Sequence, residues 1–120
     1  MIEELVSRVF AVRDAAHRAH WAATGQGSYA RHMALGEFYE ALPGLIDEIV
    51  ETYQGGFILI GEGKPVAYEC AEIVERIGEE GKWIAANRDK IARENDALEN
   101  LIDGLVGLYM RTYYKLTKLK

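Results

Sequence analysis

Apolar residues recur through the middle of this chain at intervals of three and four: Leu35, Phe38, Leu42, Leu45, Ile46 and Ile49, flanked by Tyr39 and Val50. Only a helix gathers such positions on one face, because 3.6 residues complete each turn. The stripe is too long for a strand and keeps its phase across Pro43. It therefore predicts one helix from about Ser28 or Ala30 to Tyr53, bent where the proline removes a hydrogen bond. A single apolar face cannot be buried alone, so other helices must cover it.

Three further helical patterns are present. Leu5, Val9, Val12, Ala16 and Ala19 mark a first helix from Ile2 to about Ala23. The glycine-bearing run TGQGSYA, residues 24–30, breaks it, with Gly25 suited to a left-handed position at the helix end. Residues 54–66 lose helical character. Their FILI run has no second strand to pair with and reads as a connecting loop that buries its apolar residues. A third helix is expected from about Pro65 or Tyr68 to Ala86, weakened locally by Gly78 and Gly81. A fourth runs from about Arg93 to Leu119, with Leu98, Leu101, Ile102, Leu105, Leu108, Tyr109, Tyr113 and Leu116. The pattern is an all-α four-helix bundle in one domain, residues 1–120, with a longer crossover between helices two and three.

The length of 120 residues suits one domain. No run approaches 18 apolar residues, so no membrane span is expected. MIEELVSRVF opens an acidic, periodic helix rather than a secretory leader, and a cytoplasmic location is the expectation. The one cysteine, Cys70, rules out a disulfide framework or a cysteine-cluster metal site. A formal net charge of -5 argues against a nucleic-acid partner, although Arg111, Lys115, Lys118 and Lys120 crowd the end of the chain.

The polar residues hold the functional signal. In AHWAATGQGSYARH, residues 19–32, His20 lies near the end of helix one and His32 near the start of helix two. An antiparallel hairpin brings them face to face. Asp47 and Glu51 are four residues apart and share a helix face, so one ion can touch both. Asp47 is fifteen residues beyond His32, about 22 Å along a helix. Histidines and carboxylates cannot meet within one chain, but two copies packed antiparallel about a twofold axis would bring each pair onto the other. Imidazole with carboxylate suits iron, zinc or manganese.

The tryptophan beside the first histidine, the second histidine twelve residues on, and Asp and Glu at fifteen and nineteen beyond it resemble the ferritin-like mini-ferritins, the DNA-binding proteins from starved cells. The resemblance covers residues 9–55. It implies a ferritin-like bundle, a homodimer or dodecameric cage, and an intersubunit ferroxidase centre that oxidises ferrous iron with dioxygen or peroxide. His20 and His32 would come from one subunit, Asp47 and Glu51 from its neighbour. Where the family usually carries a further Asp, four residues after the second histidine, this chain has Gly36. Glu37 beside it and His17, one turn before His20, are the substitute ligands to consider. The chain also lacks the lysine-rich N-terminal arm that some members use for DNA.

Each signal has a plain alternative. The histidines can pack beside a turn, and Asp47, Glu48 and Glu51 can form a solvated face. Trp21 can be packing alone. Glu69, Glu72, Glu75, Glu79 and Glu80 lack a Glu-x-x-His partner and read as a solvated acidic face. The competing function is a metal-free helical bundle serving structure or protein interaction.

Overall fold

The computed structural model describes residues 1–65 and 72–119, so Tyr68, Glu69, Cys70 and Lys120 lie outside the described residues. Four helices form: α1 (Ile2–Ala22), α2 (Ser28–Gly56), α3 (Ile73–Ala92) and α4 (Asp96–Lys118). The second apolar stripe does make one helix, which continues through Pro43. The α1–α2 turn uses two glycines with positive φ, Gly25 at 90° and Gly27 at 79°. The third helix starts later than the periodicity suggests. Glu72 stays extended, and its carboxylate accepts hydrogen bonds from the amides of Val74 and Glu75, at 2.9 and 3.2 Å, to cap α3. Asn95 caps α4 by accepting from the Leu98 amide at 3.0 Å.

Around the bundle the order is α1, α2, α4, α3, which places α2 and α3 on a diagonal. Arg31, near the start of α2, pairs with Glu72 at the start of α3, 3.0 Å away. At the opposite end Gly56 of α2 approaches Asn95 before α4. The two ends of the crossover therefore lie at opposite ends of the bundle, which leaves α3 parallel to α2. The crossover buries its apolar residues only in part. Phe57 and Ile60 pack against the core, while Ile58 and Leu59 are 67% and 77% exposed. No helix among the described residues is long and apolar enough to cross a membrane.

The core is aliphatic, built from Leu5, Val9, Val12, Leu35, Leu42, Ile46, Ile49, Ile77, Ile84, Leu98, Ile102 and Leu105, with Phe38 set edge-on to Tyr109 at 4.9 Å. Gly81 does more than weaken α3. A Cβ there would lie 3.0 Å from the Tyr109 Cβ, so the missing side chain lets α4 come close.

One part of the presumed solvated face is not solvated. Glu80 is 5% exposed, because it follows Ile77 by three residues and precedes Ile84 by four, on the buried stripe. Its carboxylate accepts from one Arg8 nitrogen at 2.9 and 3.2 Å, and the Arg8 guanidinium lies 4.1 Å over the Trp83 ring. This charged contact joins α1 to α3. Tyr109 is also buried, and its hydroxyl has no hydrogen-bond partner among the described residues. Burial first, and the charge of Glu80 second, push that hydroxyl far above the ordinary tyrosine range, so it stays protonated.

Removing the Glu80 carboxylate leaves Arg8 its more exposed contact with Glu4, so Glu80→Ala is expected to cost about 2 kcal/mol in urea unfolding. Tyr109→Phe is expected to stay within about 0.5 kcal/mol of wild type or to gain, since the hydroxyl satisfies nothing. Burial tends to raise the Glu72 carboxyl, but Arg31 and the two capping amides outweigh it and hold it below the ordinary glutamate range. A depressed folded pKa means stabilisation that is present at neutral pH and lost as pH falls through the folded value. Glu72→Gln should therefore flatten the loss of stability measured below about pH 4.5.

Candidate functional site

His20 is in the last turn of α1, and His32 is one turn into α2. The short turn between the helices places them opposite one another, and both are half-buried. Their rings stack at 3.6 Å with planes 20° apart. Each ring then reaches the other residue's backbone. His20 Nδ1 lies 2.7 Å from the His32 carbonyl, and His32 Nδ1 lies 3.0 Å from the His20 carbonyl.

This exchange defines the tautomers. A carbonyl oxygen can only accept, so each Nδ1 must carry its hydrogen. The neutral ring then holds its lone pair on Nε2. Metal-binding histidines have the same arrangement, one nitrogen donating to a fixed acceptor and the other left to the ion. The stack also limits how an ion can be held. One ion midway between the two planes would sit roughly 1.8 Å out of each, whereas a metal lies in the ring plane about 2.1 Å from nitrogen. Stacked this way, the pair suits one ion per ring.

Gly36 makes the exchange possible. A Cβ on residue 36 would lie 3.2 Å from His20 Cε1 and 3.4 Å from its Nδ1, so the imidazole occupies the space a side chain would need. The absent aspartate and the histidine geometry thus have one cause. Glu37, the neighbouring substitute, serves elsewhere: it accepts from Lys115 Nζ at 2.7 Å and ties α2 to α4.

His17 extends the ring cluster. It stacks on Tyr39 at 3.9 Å, with planes 13° apart, and lies 4.4 Å from the Trp21 ring. Tyr39 meets His20 edge-on at 5.3 Å. The five rings make a continuous aromatic patch across α1 and α2, ending in Trp21, which is 67% exposed. Tyr39 reads in the sequence as an oxidisable or interfacial ring and more simply as packing; its place seven residues after His32 puts it beside the same helix seam.

Asp47 and Glu51 are exposed on α2, far down the helix from the histidines. Among the described residues no three His, Cys, Asp or Glu side chains of one chain gather as a metal-binding group. The structure thus pairs His20 with His32, sets His17 beside them as a neighbouring ring, 6.2 Å from His20, and leaves Asp47 and Glu51 apart from them within the chain.

Residues 20–116 match the family described as Family of unknown function (DUF5856), a span that starts at His20 and includes His32, Gly36, Asp47 and Glu51. No curated protein and no solved structure matches the chain.

The fit at residue 36 can be tested without metal. In long-range proton–nitrogen NMR of wild type, both imidazoles are expected as Nδ1–H tautomers. Gly36→Val should displace the His20 ring and yield averaged tautomers, while circular dichroism stays helical.

Proposed function

Since the chain belongs to that family of unknown function, whose description names no activity, we propose from the site itself that the protein binds ferrous iron between two copies. The observation that carries this reading is the reciprocal His20–His32 pair, which holds two imidazoles with Nδ1 engaged and Nε2 without a hydrogen-bond partner among the described residues. Two nitrogens are too few for a stable site, and among the described residues of one chain no third ligand joins them. Asp47 and Glu51 of a second copy, packed antiparallel, would complete the set with the oxygen donors that iron accepts.

The chain's own groups have separate tasks in this scheme. The carbonyls of His20 and His32 hold the rings in orientation, and the stack assigns one ion to each ring. The two carboxylates, four residues apart, would balance the ionic charge and can bridge neighbouring ions. Trp21 and Tyr39 would shield the site from water. Ferrous iron is the substrate, giving electrons to dioxygen or peroxide. Zinc or manganese could take the same ligands. The protein would work as a homodimer or as a larger ferritin-like cage in the cytoplasm.

A second reading, a metal-free interaction bundle, draws on the exposed Trp21, Tyr29, Ile58 and Leu59. Anaerobic ferrous titration with equilibrium dialysis separates the two. Wild type is expected to retain iron, while His20→Ala and Asp47→Ala each lose at least about tenfold in affinity. Aerobic oxidation should slow in the same variants. Iron retention equal in all three proteins, or oxidation no faster than buffer, would favour the interaction bundle.

A further inference from the structure

The proposed site fixes where a twofold axis must pass. A rotation that brings one copy's histidine end onto the other's Asp47–Glu51 end leaves only the midpoint level in place. On α2 that level is Glu40, eight residues after His32 and seven before Asp47. The His20–His32 contact then assigns the matching level on α1. Arg13, seven residues before His20, lies level with Tyr39, seven after His32, and next to Glu40. Both Arg13 and Glu40 are exposed.

The charges at this level are unusual for their helices. On α1, Glu4 pairs with Arg8, Arg8 with Glu80, and Asp14 with Arg18, while Glu3 is held by the chain terminus. Arg13 is the one charged group of α1 that makes no ion pair among the described residues. On α2, Arg31 and Glu37 are paired, and those left without an ion pair are all acidic: Glu40, Asp47, Glu48 and Glu51. The outward surface thus sets a single cation of α1 against carboxylates of α2. Along α2, Met33, Glu40, Gly44, Asp47 and Glu51 are separated by 7, 4, 3 and 4 residues and form one exposed stripe. Glu40 therefore lies on the same face as the carboxylates that would complete the site.

We infer that a second copy of this chain docks on the α1–α2 face through two reciprocal ion pairs at the dyad, Arg13 of each copy with Glu40 of the other. This rests on the reading that two copies complete the metal site. It adds the contact that sets their register, since a slide by one helical turn separates both pairs at once. Pairs of this kind steer and align association more than they tighten it.

Charge reversal tests the inference by sedimentation velocity on full-length, metal-free protein. Arg13→Glu and Glu40→Arg each replace two attractions with two repulsions, so each dimer is expected to weaken at least about tenfold. An equimolar mixture of the two variants should restore a 1:1 heterodimer of wild-type strength, because both cross pairs are then complementary. Arg13→Gln and Glu40→Gln, which are milder changes, should weaken the dimer in the same direction. A wild-type dimer indifferent to these substitutions overturns the ion pairs and leaves the iron reading standing, to be judged by iron retention. Recovery in the doubly reversed chain but not in the mixture means that the pair forms within one chain and also overturns the inference. A wild type that stays monomeric with and without ferrous iron overturns both.

Discussion

The approach of α1 to α2 across residue 36 governs the geometry of this half of the bundle. Two imidazoles can each reach the opposite backbone only if the helices come close, and the His20 ring lies in the space that a side chain on residue 36 would enter. Two hydrogen bonds, at 2.7 and 3.0 Å, then define the register of the pair. Moving one helix along the other would leave both ring nitrogens without acceptors in a half-buried place, where an unmade hydrogen bond costs about 1–3 kcal/mol. The stack of His17 on Tyr39, and the shared level of Arg13 and Glu40, follow from that register.

The opposite side of the bundle is held by different physics. Close packing of α4 on Gly81 and the half-buried Arg8–Glu80 pair give that side its shape. The ion pair spans α1 and α3 and is backed by the Trp83 ring, so its geometry relies on packing as much as on charge. Lys115 with Glu37 and Arg31 with Glu72 then tie the remaining helices at one end. These exposed pairs align the helices more than they stabilise them.

The two histidines and the two carboxylates have contrasting surroundings. The histidines are half-buried, oriented by backbone acceptors and flanked by rings. Asp47 and Glu51 are exposed, and neither makes an ion pair among the described residues. That contrast fits a site assembled from two surfaces. In the proposed site the rings would form the rigid part, prepared within the chain, and the carboxylates would adapt to a second surface. Preorganising one half lowers the entropy cost of forming the whole.

The four apolar stripes were legible in the sequence, because helical periodicity is a local property that survives without knowledge of the fold. The histidines were legible too, since a short turn between antiparallel helices leaves them little choice but to face each other. Other features were not. Glu80 was counted with the solvated acids because its charge outweighed its position between Ile77 and Ile84. Ile58 and Leu59 were expected to be buried, yet a crossover that joins opposite ends of the bundle cannot turn every side chain inward. Gly36 looked like a missing ligand, and only the packed helices reveal the His20 ring in its space. Sequence alone determined the helices, their number and the hairpin that confronts the histidines, all consequences of local spacing. The tautomers, the half-buried ion pair of Arg8 with Glu80 and the separate duty of Glu37 were decided by the tertiary structure, because each depends on which atoms of distant segments come within hydrogen-bonding reach.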